Sequence, residues 1–368
     1  MSERSYIGRR EFIKSVVTAG LMSIGGVSSF GAAKGDSKLY TGGTKVGKKL
    51  ENLRWERLWI SHIGCIKGCL NYLKIDVSTA WLFGATGHAF VINICGGIDV
   101  SGPTALNPEM FFKLGENIGY RTNTVSAFKS DGDFAEKQRL AWEKAKQSID
   151  QGLPCYGWNL DTRFPEFYVV YGYDDVGYYF SGPGSGAGAG PKTWQELGND
   201  RIGSLEMHWL EPGTPADDAA TVKEAFEFVL EHAKNPEKWV FSGYGYKSGL
   251  AGFDLWIHEL ETGRANGPGV GLNAGNWSEC RNYAVEFLKE AKGKLGKQLS
   301  SLFDEAISHY EVVAANLSAL VGIFPVDAGK PWHIKDKARV SLALECLRSA
   351  RNAEESGLRT IEKMVYKL

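Results

Sequence analysis

Two cysteines and a histidine have a spacing that could support chemistry in the stretch SHIGCIKGCLNYL, residues 61–73. Cys65 and Cys69 are four positions apart, so in a helix they lie on one face, one turn from each other. A thiol at a helix N-terminus has a lowered pKa, because the positive end of the helix dipole stabilises the thiolate. The sequence predicts a helix over residues 65–76, in which Cys65 would be at the start and Cys69 packed one turn beneath it. Cys65 could then be a nucleophile, the two cysteines could belong to a metal or redox site, or both could be buried packing residues.

A metal site is an alternative chemistry for the same stretch. His62, Cys65, Cys69 and His88 would be its ligands, but the His-x-x-Cys-x-x-x-Cys spacing matches no common zinc or iron–sulfur pattern. We therefore expect no metal and no cofactor. The other four cysteines lie in apolar or helical surroundings and are expected to be small buried hydrophobes: Cys95, Cys155, Cys280 and Cys346.

The N-terminus predicts export. Arg9 and Arg10 precede a modestly apolar run that ends in small residues, which is typical of a twin-arginine (Tat) signal with cleavage after Ala33. We expect a signal peptide at 1–33, a polar linker at 34–54, the Tat machinery as a partner and a periplasmic or secreted mature protein. The apolar run is too short and too polar for a membrane span, so an integral membrane protein is not expected.

Composition excludes one further class of partner. The chain has 368 residues, 23% of them charged, with a formal net charge of −1. A nucleic-acid-binding protein normally presents a basic face, so no nucleic-acid partner is expected.

The elements that would position these residues fall into two parts. Between residues 55 and 212, helices at 107–118 and 133–152 alternate with short strands rich in Val and Tyr, such as AFVINI and FYVVYGY, which indicates an α+β domain. Residues 213–368 have apolar residues at three-and-four spacing almost throughout and predict a helical C-terminal domain, a bundle packed on the first part. Its helices are expected at 219–234, 248–262, 274–295, 297–322 and 334–366.

The stretch around Cys65 resembles the papain-like, C39-type cysteine peptidase superfamily, and is most similar to the butirosin-biosynthesis-protein-H-like N-terminal domain. The matching features are Cys65 with Gly68 and Leu70, then Ser78, then the Leu82-Phe83-Gly84 motif followed by Gly87 and Phe90. A second block, FPEFYVVYGYDDVGYYFSGPG, resembles the other half of that domain, and together the two blocks span residues 60–185. The resemblance implies a papain-like domain in which a cysteine attacks an acyl or amide carbonyl.

The sequence departs from the family pattern at both partners of the cysteine. The position of the family's histidine holds Glu166, and its closing Asp-Pro pair is Gly182-Pro183. A thiolate acyl-transfer site needs a group that protonates the leaving group. His62, His88 and a Glu166 whose pKa is raised by burial are the candidates for this role.

The resemblance also implies a substrate groove. Its candidate lining residues are Asn159, Asp161, Gly87 and Tyr171. The predicted function is an exported amide or peptide hydrolase, or an acyltransferase, that acts on a small-molecule, peptide or acyl substrate through a Cys65 thioester with a non-standard base. The alternative is a catalytically inactive papain-like protein that uses the cleft for binding, as a periplasmic binding or accessory protein.

Overall fold

The computed structural model describes residues 47–185, 188–240, 245–326 and 334–368. Within these ranges the helices are α1 Ser61–Tyr72, α2 Thr79–Ala85, α3 Glu109–Glu116, α4 Phe134–Asp150, α5 Asp218–Lys234, α6 Gly249–Glu261, α7 Gly267–Leu295, α8 Ser300–Ile323 and α9 Lys337–Val365. The strands are β1 Asn93–Ile94, β2 Tyr120–Phe128, β3 Cys155–Trp158, β4 Phe167–Tyr173, β5 Gly177–Ser181, β6 Ala189–Thr193, β7 Ser204–Pro212 and β8 Lys247–Ser248.

A six-stranded antiparallel sheet forms the centre of the first part, in the order β2-β7-β3-β4-β5-β6. Helices cover both of its faces. On β3 the side chain of Cys155 points towards Ala145 of α4, whereas that of its neighbour Tyr156 reaches His62 of α1. The alternation of side chains along a strand thus places α4 on one face and α1 on the other.

The C-terminal helices do not form a separate core. One continuous hydrophobic cluster runs from Leu50 to Met364, and the short strand β8 pairs with β1 of the first part. Gly84 of α2 shows how close this packing is, because a Cβ at that position would lie 1.9 Å from the ring of Phe287 in α7. The two predicted parts are therefore joined by a shared interior.

Most predicted elements are present, and the protein is mixed α+β with an antiparallel sheet and C-terminal helices, as expected. The main difference concerns the first helix. It begins at Ser61 rather than at Cys65, so the expectation that Cys65 opens a helix is wrong. The carboxylate of Glu279 explains the earlier start, since it accepts the backbone N–H groups of Trp59 and Ile60 at 3.0 Å each and so holds the chain that leads into the helix.

One segment of the described chain, Lys297–Ile323, is long and apolar enough to cross a membrane, and 33% of its most apolar window is buried. This segment includes α8, which packs against α7 and α9. Core helices of soluble proteins meet the same criteria of length and composition, so this single helix gives no clear indication of an integral membrane protein.

Candidate functional site

A cavity of about 360 Å³ opens between the sheet and the start of α1. This volume lies in the range of pockets that take small ligands. Its floor is the outer end of the sheet, formed by β2 and β7, and its roof comes from the segment that leads into α3. The first turn of α1, Glu166 just before β4, His88 and Asn276 of α7 also line it. The C-terminal helices thus contribute directly to this cavity.

Ser61 is the first residue of α1, and it lines the cavity. Two glycines of this helix let the preceding chain lie close against it. A Cβ at Gly64 would lie 2.4 Å from the carbonyl oxygen of Glu56, and one at Gly68 would lie 1.9 Å from that of Arg54. The N–H groups of the first helical turn have no partner inside the helix, so this end of α1 carries a positive potential beside the cavity.

The hydroxyl of Ser61 donates a hydrogen bond of 2.5 Å to Oε2 of Glu166. The backbone N–H of Phe167 donates to the same hydroxyl oxygen at 3.1 Å. Burial raises the pKa of Glu166 to about 7, although the hydrogen bond from Ser61 opposes this change. Near neutral pH, Glu166 therefore exists in both protonation states and can accept or release a proton beside a hydroxyl group.

Three histidines line the same cavity, and each of them is buried: His62, His88 and His208. Burial, followed by the nearby His208, lowers the pKa of His62 to about 3. Burial, followed by the nearby His62, also lowers the pKa of His88. His62 and His88 are therefore neutral at physiological pH and act as hydrogen-bonding groups. Nε2 of His62 lies 3.0 Å from the hydroxyl of Tyr156, and Nδ1 of His88 lies 3.0 Å from that of Thr86.

Cys65 lies in the second turn of α1 and is fully buried in the hydrophobic core. Burial raises the pKa of its thiol well above the ordinary value, with further contributions from Cys69 and Glu166. A nucleophile at this site must lie at the helix N-terminus and must reach the cavity. Ser61 meets both conditions, and Cys65 meets neither. Cys69 is also fully buried, in agreement with the packing role predicted for it.

The other predicted site residues separate into two groups. Glu166, His62 and His88 meet at the cavity. The four predicted groove residues do not line it, and their contacts are structural. The side chain of Asn159 donates to Asp200, Asp161 pairs with Arg163, Gly87 takes a positive φ of 81° against Phe228, and Tyr171 packs beside Gly188 and Tyr179.

Sequence reasoning missed Ser61, His208 and Asn276 as site residues. The alternation around His208 indicates a strand, and the residue does lie on β7, but its side chain is on the face that lines the cavity. The only local signal for Ser61 is a hydroxyl directly before His62, because the residue at the N-cap position, where serine is favoured, is Ile60. No local pattern marks Asn276, which reaches the cavity only through the packing of α7.

No group of three or more His, Cys, Asp or Glu side chains within the described ranges is placed to hold a metal ion. His62 and His88 are near each other, with ring centroids 5.7 Å apart, but Cys65 and Cys69 point into the core. The metal alternative therefore has no support in the geometry.

The class of protein that the fold and cavity define is a mixed α+β protein with a ligand-sized cleft at a helix N-terminus. No protein family and no curated protein sequence matches the chain.

Proposed function

We propose that this protein is an acyl-transfer enzyme in which Ser61 is the nucleophile and Glu166 the general base. The observation that carries the proposal is the 2.5 Å hydrogen bond from the Ser61 hydroxyl to Glu166, at a helix N-terminus that opens into the cavity. The reaction class is the one predicted from the sequence, but the covalent intermediate is a serine ester in place of a Cys65 thioester.

The first half of the reaction forms that ester. As the Oγ of Ser61 bonds to the carbonyl carbon of an ester or amide, its proton passes to the carboxylate of Glu166. The negative charge that develops on the carbonyl oxygen is stabilised by N–H groups of the first turn of α1. Glu166, now protonated, gives its proton to the departing alcohol or amine as the carbon–oxygen or carbon–nitrogen bond breaks. A pKa of about 7 suits both steps.

The second half releases the acyl group. Glu166 takes a proton from water or from an acceptor amine, which attacks the ester carbonyl, and then returns a proton to the Oγ of Ser61. Attack by water makes the protein a hydrolase of esters, amides or peptides, and attack by an amine makes it an acyltransferase. The proposal includes export through the twin-arginine pathway, based on the N-terminal sequence.

Covalent labelling with a fluorophosphonate, followed by peptide mass mapping, tests the proposal. We expect phosphonylation of Ser61 in the wild-type protein, loss of labelling in Ser61→Ala and unchanged labelling in Cys65→Ala. Ser78→Ala is a matched control, because the Ser78 hydroxyl also lies 2.5 Å from a carboxylate, that of Glu290, but outside the cavity. Equal labelling of Ser61 and Ser78, or none at Ser61, would overturn the proposal.

The second candidate function is binding without turnover. The N–H of Phe167 favours it, because this contact occupies one lone pair of the Ser61 oxygen and fixes the hydroxyl in place. Ligand binding in the cavity of a protein whose Ser61 does not react with the fluorophosphonate would support this function.

A further inference from the structure

One wall of the cavity consists of polar side chains on β2, the edge strand of the sheet, and on its neighbour β7. Strands β2 and β7 are antiparallel, and their register pairs Thr124 with His208 and Ser126 with Glu206. These four side chains lie on one face of the sheet because they alternate along each strand, and all four line the cavity. We refer to them as the β2–β7 wall.

His208 is the unusual member of this wall. Its residue is 1% exposed, and neither ring nitrogen has a hydrogen-bond partner among the described residues. Oε2 of Glu206 is 3.6 Å from Nε2 of His208, which is beyond hydrogen-bond distance. Buried polar groups are nearly always hydrogen-bonded, since leaving one unpaired costs about 1–3 kcal/mol. Two unpaired nitrogens in a ring that lines a ligand-sized cavity are therefore the expected hydrogen-bonding partners of a polar group of the ligand.

The surroundings of His208 limit the chemistry of that group. The side facing the β2–β7 wall is apolar and includes Leu106, Phe111 and Phe112. The described lining contains carboxylates, Glu166 and Glu206 among them, but no lysine or arginine. No lysine or arginine side chain of the lining could therefore pair with a carboxylate or phosphate at this wall, and the positive end of α1 lies at Ser61, where the reacting carbonyl is placed. An uncharged polar group needs no such cation.

We infer that the β2–β7 wall is a specificity subsite that selects an uncharged acyl group carrying a second amide, with His208 as its main hydrogen-bonding partner. The imidazole of His208 offers a hydrogen-bond donor, and the hydroxyls of Thr124 and Ser126 can act as donor or acceptor. The wall can thus match the C=O and the N–H of an amide, while the apolar side covers the adjoining carbon chain. This inference rests on the proposed function only in placing the reacting carbonyl at Ser61.

Three primary amides of equal chain length test the subsite without turnover. N-acetylglycinamide carries a second, uncharged amide, pentanamide replaces it with methylene groups, and glutaramate carries a carboxylate. Binding is measured by saturation-transfer NMR on the Ser61→Ala protein, so the outcome does not depend on the reactivity of Ser61. We expect N-acetylglycinamide to bind about tenfold more tightly than pentanamide, the equivalent of one hydrogen bond, and glutaramate to bind least.

Two variants assign the preference to His208. His208→Leu should remove the tenfold preference and leave pentanamide binding in place, whereas His208→Gln, which keeps a donor and an acceptor, should retain part of it. Thr124→Val provides a second, nearly isosteric change on the neighbouring strand and should weaken N-acetylglycinamide alone. Equal binding of the three amides, no binding of any of them, or a preference unchanged in His208→Leu would overturn the inference. Selective binding together with an unreactive Ser61 would retain the subsite and reject the proposed reaction.

Discussion

Ser61 and Cys65 are one turn apart on α1, but only Ser61 reaches the cavity. Ser61 begins the helix and donates to Glu166, whereas Cys65 is fully buried among core residues. The four-residue offset decides which side chain meets a ligand. Two hydrogen bonds, from the backbone N–H groups of Trp59 and Ile60 to the carboxylate of Glu279, hold the chain that leads into α1. They place Ser61, and not Cys65, at the end of the helix that meets the cavity.

The reactivity of Cys65 should be that of a buried thiol. Iodoacetamide at about pH 8 is expected to leave Cys65 unmodified in the folded protein, because burial raises the pKa of its thiol and blocks access. Complete modification is expected in denaturant, and peptide mass mapping measures both. Cys346, which is partly exposed, provides an internal control in the folded state. Rapid modification of Cys65 near neutral pH would instead restore it as a nucleophile.

The reaction of Ser61 with a fluorophosphonate should depend on pH through Glu166. Only the ionised carboxylate accepts the proton of Ser61, so the rate is expected to rise with pH to a plateau, with a midpoint near the Glu166 pKa of about 7. Glu166→Gln should lower the plateau rate at least a hundredfold, within the usual range for loss of a general base of about 10²–10⁴. A midpoint close to the ordinary pKa of a glutamate would contradict the raised pKa.

The same pKa has a consequence for stability. A carboxyl group whose pKa is raised on folding stabilises the folded state below its unfolded pKa, and this contribution is lost as pH rises through about 7. Glu166→Gln does not ionise, so its melting temperature relative to wild type should increase between about pH 5 and pH 8. A constant difference across this range, measured by calorimetry, would show that Glu166 has an ordinary pKa in the folded protein.

Glu279 is expected to position Ser61 although it does not line the cavity. Glu279→Ala leaves the N–H groups of Trp59 and Ile60 without their partner, which should cost about 1–3 kcal/mol in the free energy of unfolding. We expect the labelling rate of Ser61 to fall as well, with the pH midpoint unchanged. Glu286→Ala is the control, since that side chain lies on the same helix and is 59% exposed. Equal effects of the two substitutions on Ser61 would exclude a positioning role.

The buried ion pair of Arg281 and Glu354 should couple the C-terminal helices to the cavity region. Both side chains are at most 1% exposed, and Arg281 also donates to the carbonyl oxygens of Ala89 and Val91, next to His88. Arg281→Met alone should reduce the free energy of unfolding by about 3–5 kcal/mol, because it leaves a buried carboxylate unpaired. The double variant with Glu354→Leu should recover part of this loss in urea denaturation. No recovery would mean that the bonds to Ala89 and Val91 dominate.

Several elements could be predicted from local pattern alone. The strand FYVVYGY at Phe167–Tyr173 and the helix Gly249–Glu261 lie within a residue of their predicted bounds, since a run rich in Val and Tyr is typical of a strand and three-and-four spacing follows from helix geometry. The strand predicted at AFVINI is shorter than expected, because only Asn93 and Ile94 find a partner strand, β8, from a distant part of the chain.

The sequence by itself determined the α+β class, the helical C-terminal part and the presence of Glu166, His62 and His88 as ionisable groups near one helix. Only the tertiary structure decided which residue begins that helix, that Ser61 meets Glu166, and that His208 lines the same cavity. The physical reason is that both arrangements depend on contacts between residues far apart in the chain. The carboxylate of Glu279 in α7, 219 positions after Ile60, accepts the backbone N–H of Ile60 just before the helix. The pairing of Thr124 with His208 joins β2 to β7 and forms the β2–β7 wall. Neither contact leaves a local pattern in the sequence.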